Sequence, residues 1–456
     1  MSSTRQALEG PSIELIANAK QSTAHATACS TPPTTQHSLR RLIGPGIMFA
    51  TAAIGVSHLV QCTRSGAVYG WQNTWAIAAA LVFKYPFFEF STRYANVTGK
   101  SLVDGYRELG RPVVLCCLVI TAITCPVVCA AIGAVTAAFL DNLLSIPAGC
   151  CSFLPEATAA ALLGATVSLL TIGRFSLLDA LVKAITALLV VCTLAAVAAA
   201  VTTSAKSTVE TSLVRVEENA WSPQGVRFLV ALMGWMPIPV DTGSIMGSLW
   251  TVERFEASGY HPPLRHSLAE FNAGYLLTTA LAFAFLSLAA LLLHGAAEPL
   301  PSDSAALAAA VVSLYADALG AWAQPVVGVA SACAMLGTCL TTFDGYARTL
   351  SRALQVWQEW PFSPRLHRLL YCTALVYIAL SAFALLALLS NGLSHVVDLA
   401  TTVSFVLAPA VGAVNTRLVT RAAFPRRPPL ALQLLAFAGL IFLMAFCGMY
   451  LSTLVP

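Results

Sequence analysis

Gly44-Pro45-Gly46-Ile47-Met48-Phe49-Ala50-Thr51-Ala52-Ala53-Ile54-Gly55-Val56-Ser57-His58-Leu59-Val60-Gln61 is apolar for most of its length, yet Gly55, Ser57 and His58 interrupt it. A second segment behaves the same way: it is apolar from Phe228 to Met236 and then runs Pro237-Ile238-Pro239-Val240-Asp241-Thr242-Gly243-Ser244. Hydrocarbon offers no hydrogen-bond partners, so unwound backbone at membrane depth is tolerated only where protein covers it or where it lines a cavity. Paired interruptions at corresponding places in two halves of a chain mark the substrate site of secondary transporters built from inverted repeats.

Working outward, the composition sets the broad class. Hydrophobic residues make up 57% and charged residues only 10% of the 456 residues, and the mean hydropathy is +0.75. A soluble domain of ordinary make-up is far more polar, so the chain reads as a multi-pass membrane protein. The net charge of +4 comes from basic residues gathered in short loops between apolar segments, where a membrane explains them and nucleic acid does not. Thirteen cysteines are present, but Cys116, Cys117, Cys125, Cys129, Cys192, Cys333, Cys339, Cys372 and Cys447 fall in apolar runs without metal-ligand spacing. They read as small buried hydrophobes; only Cys150-Cys151 sits in a loop, where redox activity is conceivable.

Residues 1–40 are polar, without the apolar core of a signal peptide, and read as a disordered cytoplasmic tail. Eleven apolar segments follow, at 42–63, 71–92, 113–140, 155–173, 177–203, 226–250, 269–294, 322–346, 367–390, 394–415 and 429–453. Each approaches the roughly 20 residues that cross a bilayer core. With the N-terminus in the cytoplasm, Arg40, Arg41, Arg93, Lys100, Arg107, Arg111, Arg174, Arg254, Arg265, Arg348, Arg352, Arg365, Arg368, Arg417, Arg421, Arg426 and Arg427 all fall on the cytoplasmic side. Arg64, Lys206, Arg215 and Arg227 remain outside. This asymmetry is what the preference of arginine and lysine for cytoplasmic loops predicts. Spans divide as five, five and one: residues 41–205, 206–415 and a last helix within 416–456. The first and sixth spans, both interrupted, then hold equivalent places in halves of opposite orientation.

Several strings resemble the NRAMP family of proton-coupled divalent metal transporters. These are Gly44-Pro45-Gly46, Gln61 with Ser65-Gly66-Ala67 and Tyr69-Gly70, Thr98-Gly99-Lys100-Ser101-Leu102, Ala131-Ile132-Gly133-Ala134, Ile146-Pro147 and Met236-Pro237. The resemblance spans most of residues 40–450 and implies an all-α membrane protein of the LeuT-type inverted-repeat fold, five plus five helices with an additional eleventh. It implies metal ligands as well. Where the family reads Asp-Pro-Gly-Asn in span one, this chain has Gly55, Val56, Ser57 and His58; where it reads Met-Pro-His in span six, the chain has Met236, Pro237 and Ile238, and the family's carbonyl ligand falls at Met233. Acidic residues of span three are replaced by Val127 and Ala130.

One imidazole from His58 and one thioether from Met236 would favour a soft or borderline transition metal over magnesium or calcium. Asp241 would restore a carboxylate, or else cap the outgoing half-helix. Ionisable residues inside spans are expensive and usually functional. Lys84, if it faces the vestibule, repels a divalent cation and welcomes an anionic group, while Glu89, Asp344 and Asp398 are candidate coupling residues. Asp179 and Lys183, four apart, read as a structural pair.

Three functions follow from this sequence. The leading one is an NRAMP-like secondary active transporter in a cell (inner or plasma) membrane, moving a small cation, foremost a transition-metal ion, with protons as the coupling ion. The second carries a small polar organic or anionic substrate on the same fold, held by half-helix N-termini with His58 and Lys84. The third is a non-transporting membrane receptor or scaffold. No nucleotide-binding loop or catalytic triad is found, so neither enzymatic activity nor a cofactor is expected; the oligomeric state is left open.

Overall fold

The structure, a computed structural model, describes residues 45–145, 157–172, 176–204, 219–294, 304–361, 363–388 and 393–454. The tail read as disordered, Gly44, Ile146-Pro147, Cys150-Cys151, Arg174, Lys206, Arg215 and the side chains of Asp179 and Lys183 lie outside the described residues.

Among the described residues there are fifteen α-helices and no strand. The first span is α1 (Pro45–Ala53), a π-helical stretch (Val56–Cys62) and α2 (Thr63–Tyr69). Span two is α3 (Thr74–Thr98), and a short helix, α4 (Leu102–Leu109), precedes span three, α5 (Arg111–Leu144). Spans four and five are α6 (Ala157–Ile172) and α7 (Ser176–Ser204). Span six is again split, into α8 (Pro223–Gly234) and α9 (Val240–Ser258). Then come α10 (Leu264–Leu292), the non-spanning α11 (Ser304–Leu319), α12 (Ala323–Gln358), α13 (Pro364–Leu388), α14 (Leu393–Thr420) and α15 (Leu430–Ser452).

Seven of the described helices are each long and apolar enough to cross a membrane: α5, α7, α10, α12, α13, α14 and α15. The other expected spans fall short for physical reasons. Two are broken, α3 carries Lys84, Glu89 and Arg93 in its middle, and α6 has 16 residues.

Position follows burial. The apolar window of α12 is 78% buried and packs on α5, α7, α13 and α1, whereas that of α15 is 17% buried and leans on α3 and α14 from outside. With little hydrophobic drive between helices in lipid, close approach of small residues sets such packing. Gly234, the last residue of α8, is the sharpest case: a Cβ there would lie 2.1 Å from the Thr401 carbonyl oxygen of α14.

Ion pairs gather the predicted cytoplasmic loops at one end. Ser101 and Asp104 form a reciprocal capping box that starts α4, and Asp104 also accepts from Arg352 of α12 at 2.5 Å. Arg107 pairs with Glu359 and Arg421 with Glu108, while Arg93 donates to the Arg426 carbonyl at 3.4 Å. The hydrogen bond from Arg107, with the Arg111 charge beside it, holds Glu359 below its ordinary carboxylate range. A depressed carboxylate contributes above its unfolded value, so this tie is present at neutral pH and is lost as pH falls through the lowered value. At the opposite end Trp71, Trp221 and Trp322 are exposed, as an interfacial aromatic belt would be.

Gly234→Ala is expected to lower the melting temperature of the detergent-purified protein by several degrees, since forcing a methyl against backbone costs about 1–3 kcal/mol. Gly448→Ala, whose added Cβ meets nothing within 4 Å, is the control that leaves it unchanged; a thermal scan of both variants decides.

Candidate functional site at the two helix breaks

The first break opens where α1 ends at Ala53 and the chain restarts as a π-helix at Val56. Gly55 is required here by close approach, because a Cβ would lie 2.5 Å from Thr338 Oγ1 of α12. The last carbonyls of α1 have no helical N–H partner, and side chains supply donors instead. Thr338 Oγ1 donates to Thr51 O at 2.9 Å and reaches Ile54 O at 3.4 Å. Ser57 Oγ donates to Ala53 O at 2.7 Å. His58 is fully buried, with Nδ1 2.7 Å from Ala53 O and Nε2 2.9 Å from Thr278 O of α10.

In span six, α8 stops at Gly234, and Pro237 and Pro239, which have no N–H, hold the connection open until α9 begins at Val240. Here the donor is charged. Lys84 Nζ, fully buried, donates to Met233 O at 2.9 Å, to Gly234 O at 2.9 Å and to Ile238 O at 3.3 Å.

The breaks meet: Ser57 Oγ lies 3.3 Å from Pro237 O. Between them is a cavity of about 30 Å³, lined by Ser57, Trp235, Pro237, Thr242, Thr338 and Tyr346 among others, room for about two waters. A second cavity, of about 210 Å³, lies toward the arginine-rich end and includes Met48, Glu253, Asp344 and Arg348. Trp250 lines both and donates through Nε1 to Asp344 Oδ2 at 3.3 Å.

Of the site residues expected from sequence, Val56 and Ser57 line the central cavity, and Gly55 lies against Thr338. His58, Met233, Met236, Lys84 and Asp241 do not line it. His58 and Met236 are the expected metal ligands. Both imidazole nitrogens already face backbone carbonyls, Met236 is buried away from the cavity, and among the described residues no group of three or more His, Cys, Asp or Glu could hold a metal ion. Lys84 faces the carbonyls of α8 rather than a vestibule. Asp241 does not cap α9, whose N-cap is Pro239; both its carboxylate oxygens are buried without a hydrogen-bond partner.

Each candidate coupling carboxylate is paired with an arginine. Glu89 takes Arg93 at 2.5 Å within α3, and Asp344 takes Arg348 at 2.7 Å and Tyr371 at 2.7 Å. Asp398 takes Arg64 through two bonds, of 2.8 and 3.2 Å, and Gln61 at 3.1 Å. Sequence reasoning missed Thr338, Thr342, Tyr346, Trp235 and Trp250. A signal existed in the hydroxyl run Thr338, Thr341, Thr342 inside an apolar span, where unpaired polar groups are costly.

The whole-chain architecture has solved counterparts. A mutant of the Eremococcus coleocola manganese transporter superposes with a TM-score of 0.64 at 14% identity, covering 93% of this chain and 89% of that one. MhsT in complex with L-phenylalanine gives 0.59 at 13% identity, covering 90% and 98%. Mhp1, a nucleobase-cation-symport-1 family transporter, gives 0.55 at 13%, covering 90% and 91%. No family model matches the sequence. Fold and break geometry thus define an all-α membrane protein of the LeuT-type transporter fold, as the resemblance implied. The chain belongs to the family of an uncharacterized protein of Pasteurella multocida (strain Pm70), with which it shares 31% identity over 421 residues, 92% of this chain and 93% of that protein.

Thr338→Val keeps the side chain's shape while removing the donor to Thr51 and Ile54. A buried carbonyl left without a partner costs about 1–3 kcal/mol, so the variant is expected to melt several degrees lower, as differential scanning fluorimetry will register.

Proposed function

We propose that this chain is a secondary transporter working by alternating access, that the cavity between the two breaks, with room for about two waters in this state, widens to receive its cargo, and that the cargo is a small organic solute rather than a bare divalent cation. One observation carries the choice: the residues lining the cavity include no carboxylate and no imidazole. They offer hydroxyls from Ser57, Thr242, Thr338, Thr342 and Tyr346, aromatic faces from Trp235 and Trp250, and a single thioether from Met246. A divalent ion stripped of water needs anionic or strongly basic ligands, whereas a few placed polar groups among apolar ones suit an organic molecule. The metal cargo implied by the NRAMP resemblance would have to be held by Met246, hydroxyls and carbonyls alone.

Arg64 and Asp398 join span one to span ten at the aromatic end, with the Arg64 guanidinium 5.2 Å above the Phe228 ring. Trp250 separates the central cavity from the larger one at the arginine-rich end. The two repeats, 41–205 and 206–415, would rock against each other around the breaks, with the arginine-rich end in the cytoplasm.

Purified protein is to be screened by thermal melting against amino acids, amines, carboxylates and nucleobases, and in parallel reconstituted into liposomes holding a manganese-sensitive dye. At least one organic solute is expected to raise the melting temperature and to be taken up, with Thr342→Leu, which fills the cavity, weakening both at least tenfold; manganese is expected not to enter. Saturable manganese entry that depends on Met246 would overturn the cargo assignment. Silence in both arms would favour the receptor or scaffold.

A further inference from the structure

Lys84 is the one buried ammonium whose partners are all main-chain carbonyl oxygens among the described residues. An ammonium has three protons and no acceptor, and here three carbonyls receive them. Two, Met233 and Gly234, end α8, where the helix dipole is negative; Met233 O also takes the backbone N–H of Met236 at 3.3 Å. The third, Ile238, belongs to the unwound connection. Unwound carbonyls and half-helix C-termini are the groups with which carriers of this architecture hold coupling cations.

Comparison within the molecule shows that a charge is not required merely to cap such an end. The first break presents equivalent carbonyls at Thr51, Ala53 and Ile54, and these are met by the hydroxyls of Thr338 and Ser57. Only the span-six break receives an ammonium, on an arm from α3. Asp241, in the first turn of α9, makes no hydrogen bond to Lys84. The ammonium is thus seated on the carbonyls and not on the carboxylate.

We propose that the Lys84 ammonium is a tethered cation, filling a monovalent-cation subsite made by the carbonyl oxygens of Met233, Gly234 and Ile238, so that no free ion is bound there. This deepens the reading of the breaks as the core of a carrier. Its test reads stability rather than uptake, so failure here leaves that reading standing, and failure of uptake leaves this one standing.

Full-length protein is to be melted in ammonium, sodium or choline chloride at constant ionic strength. Choline is too large for a three-carbonyl cage. The wild type is expected to melt at the same temperature in all three. Lys84→Ala, which vacates the cage, should melt roughly 5 °C or more lower in choline, and recover most of that loss saturably with ammonium or sodium, the linkage expected when an ion binds only the folded state. Lys84→Met, of similar length but uncharged, should melt lower and gain nothing from either ion. Recovery of Lys84→Ala only from ammonium-containing buffers counts as the same rescue. The proposal is overturned if Lys84→Ala is recovered no better in either ion than in choline, if Lys84→Met melts with the wild type, or if the wild type responds to the ions as the alanine variant does.

Discussion

A carbonyl oxygen released from a helix in the middle of a bilayer has to find a donor inside the protein, and much of this architecture answers that need. Each half-helix ends at mid-depth with its last carbonyls exposed to the interior. At the first break hydroxyls supply donors, Thr338 from α12 and Ser57 from the π-helical restart, and the His58 ring lies between the carbonyls of Ala53 and of Thr278 in α10. At the second, a single ammonium does it from α3. The close contacts of Gly55 with α12 and Gly234 with α14 follow, because side-chain donors reach these carbonyls only if the helices lie nearly backbone to backbone.

How charge is distributed follows the same logic. The three candidate coupling carboxylates each meet an arginine, Glu89 with Arg93, Asp344 with Arg348, Asp398 with Arg64. Low-dielectric surroundings make an isolated charge expensive, and pairing leaves the space between the breaks lined only by uncharged side chains. Asp241 departs from this pattern: it is buried, and no arginine or lysine bonds its carboxylate.

The interruptions themselves were legible in the sequence, since Gly55, Pro237 and Pro239 carry their conformational consequences locally. So were the spans, through length and hydropathy, and the gathering of arginines at one end. What spacing along one chain does not give is the rotation of each helix about its axis, nor which distant residue meets it. His58 and Met236 read as partners because both sit at breaks, yet each turns away from the shared cavity. Asp398 looked like a free carboxylate because its arginine is 334 positions away. The helix α11 was missed because 16 apolar residues fall short of a span, and α4 because its eight residues are amphipathic and lie at the end of the bundle.

Trp250 carries a further consequence. Its indole is the shared wall of two hollows, and its single N–H is leashed to a carboxylate that Arg348 and Tyr371 hold from other directions. Swinging the ring aside therefore breaks one long hydrogen bond while the post it is tied to stays upright. Because the indole is buried, its packing as well as that bond holds the partition between the hollows.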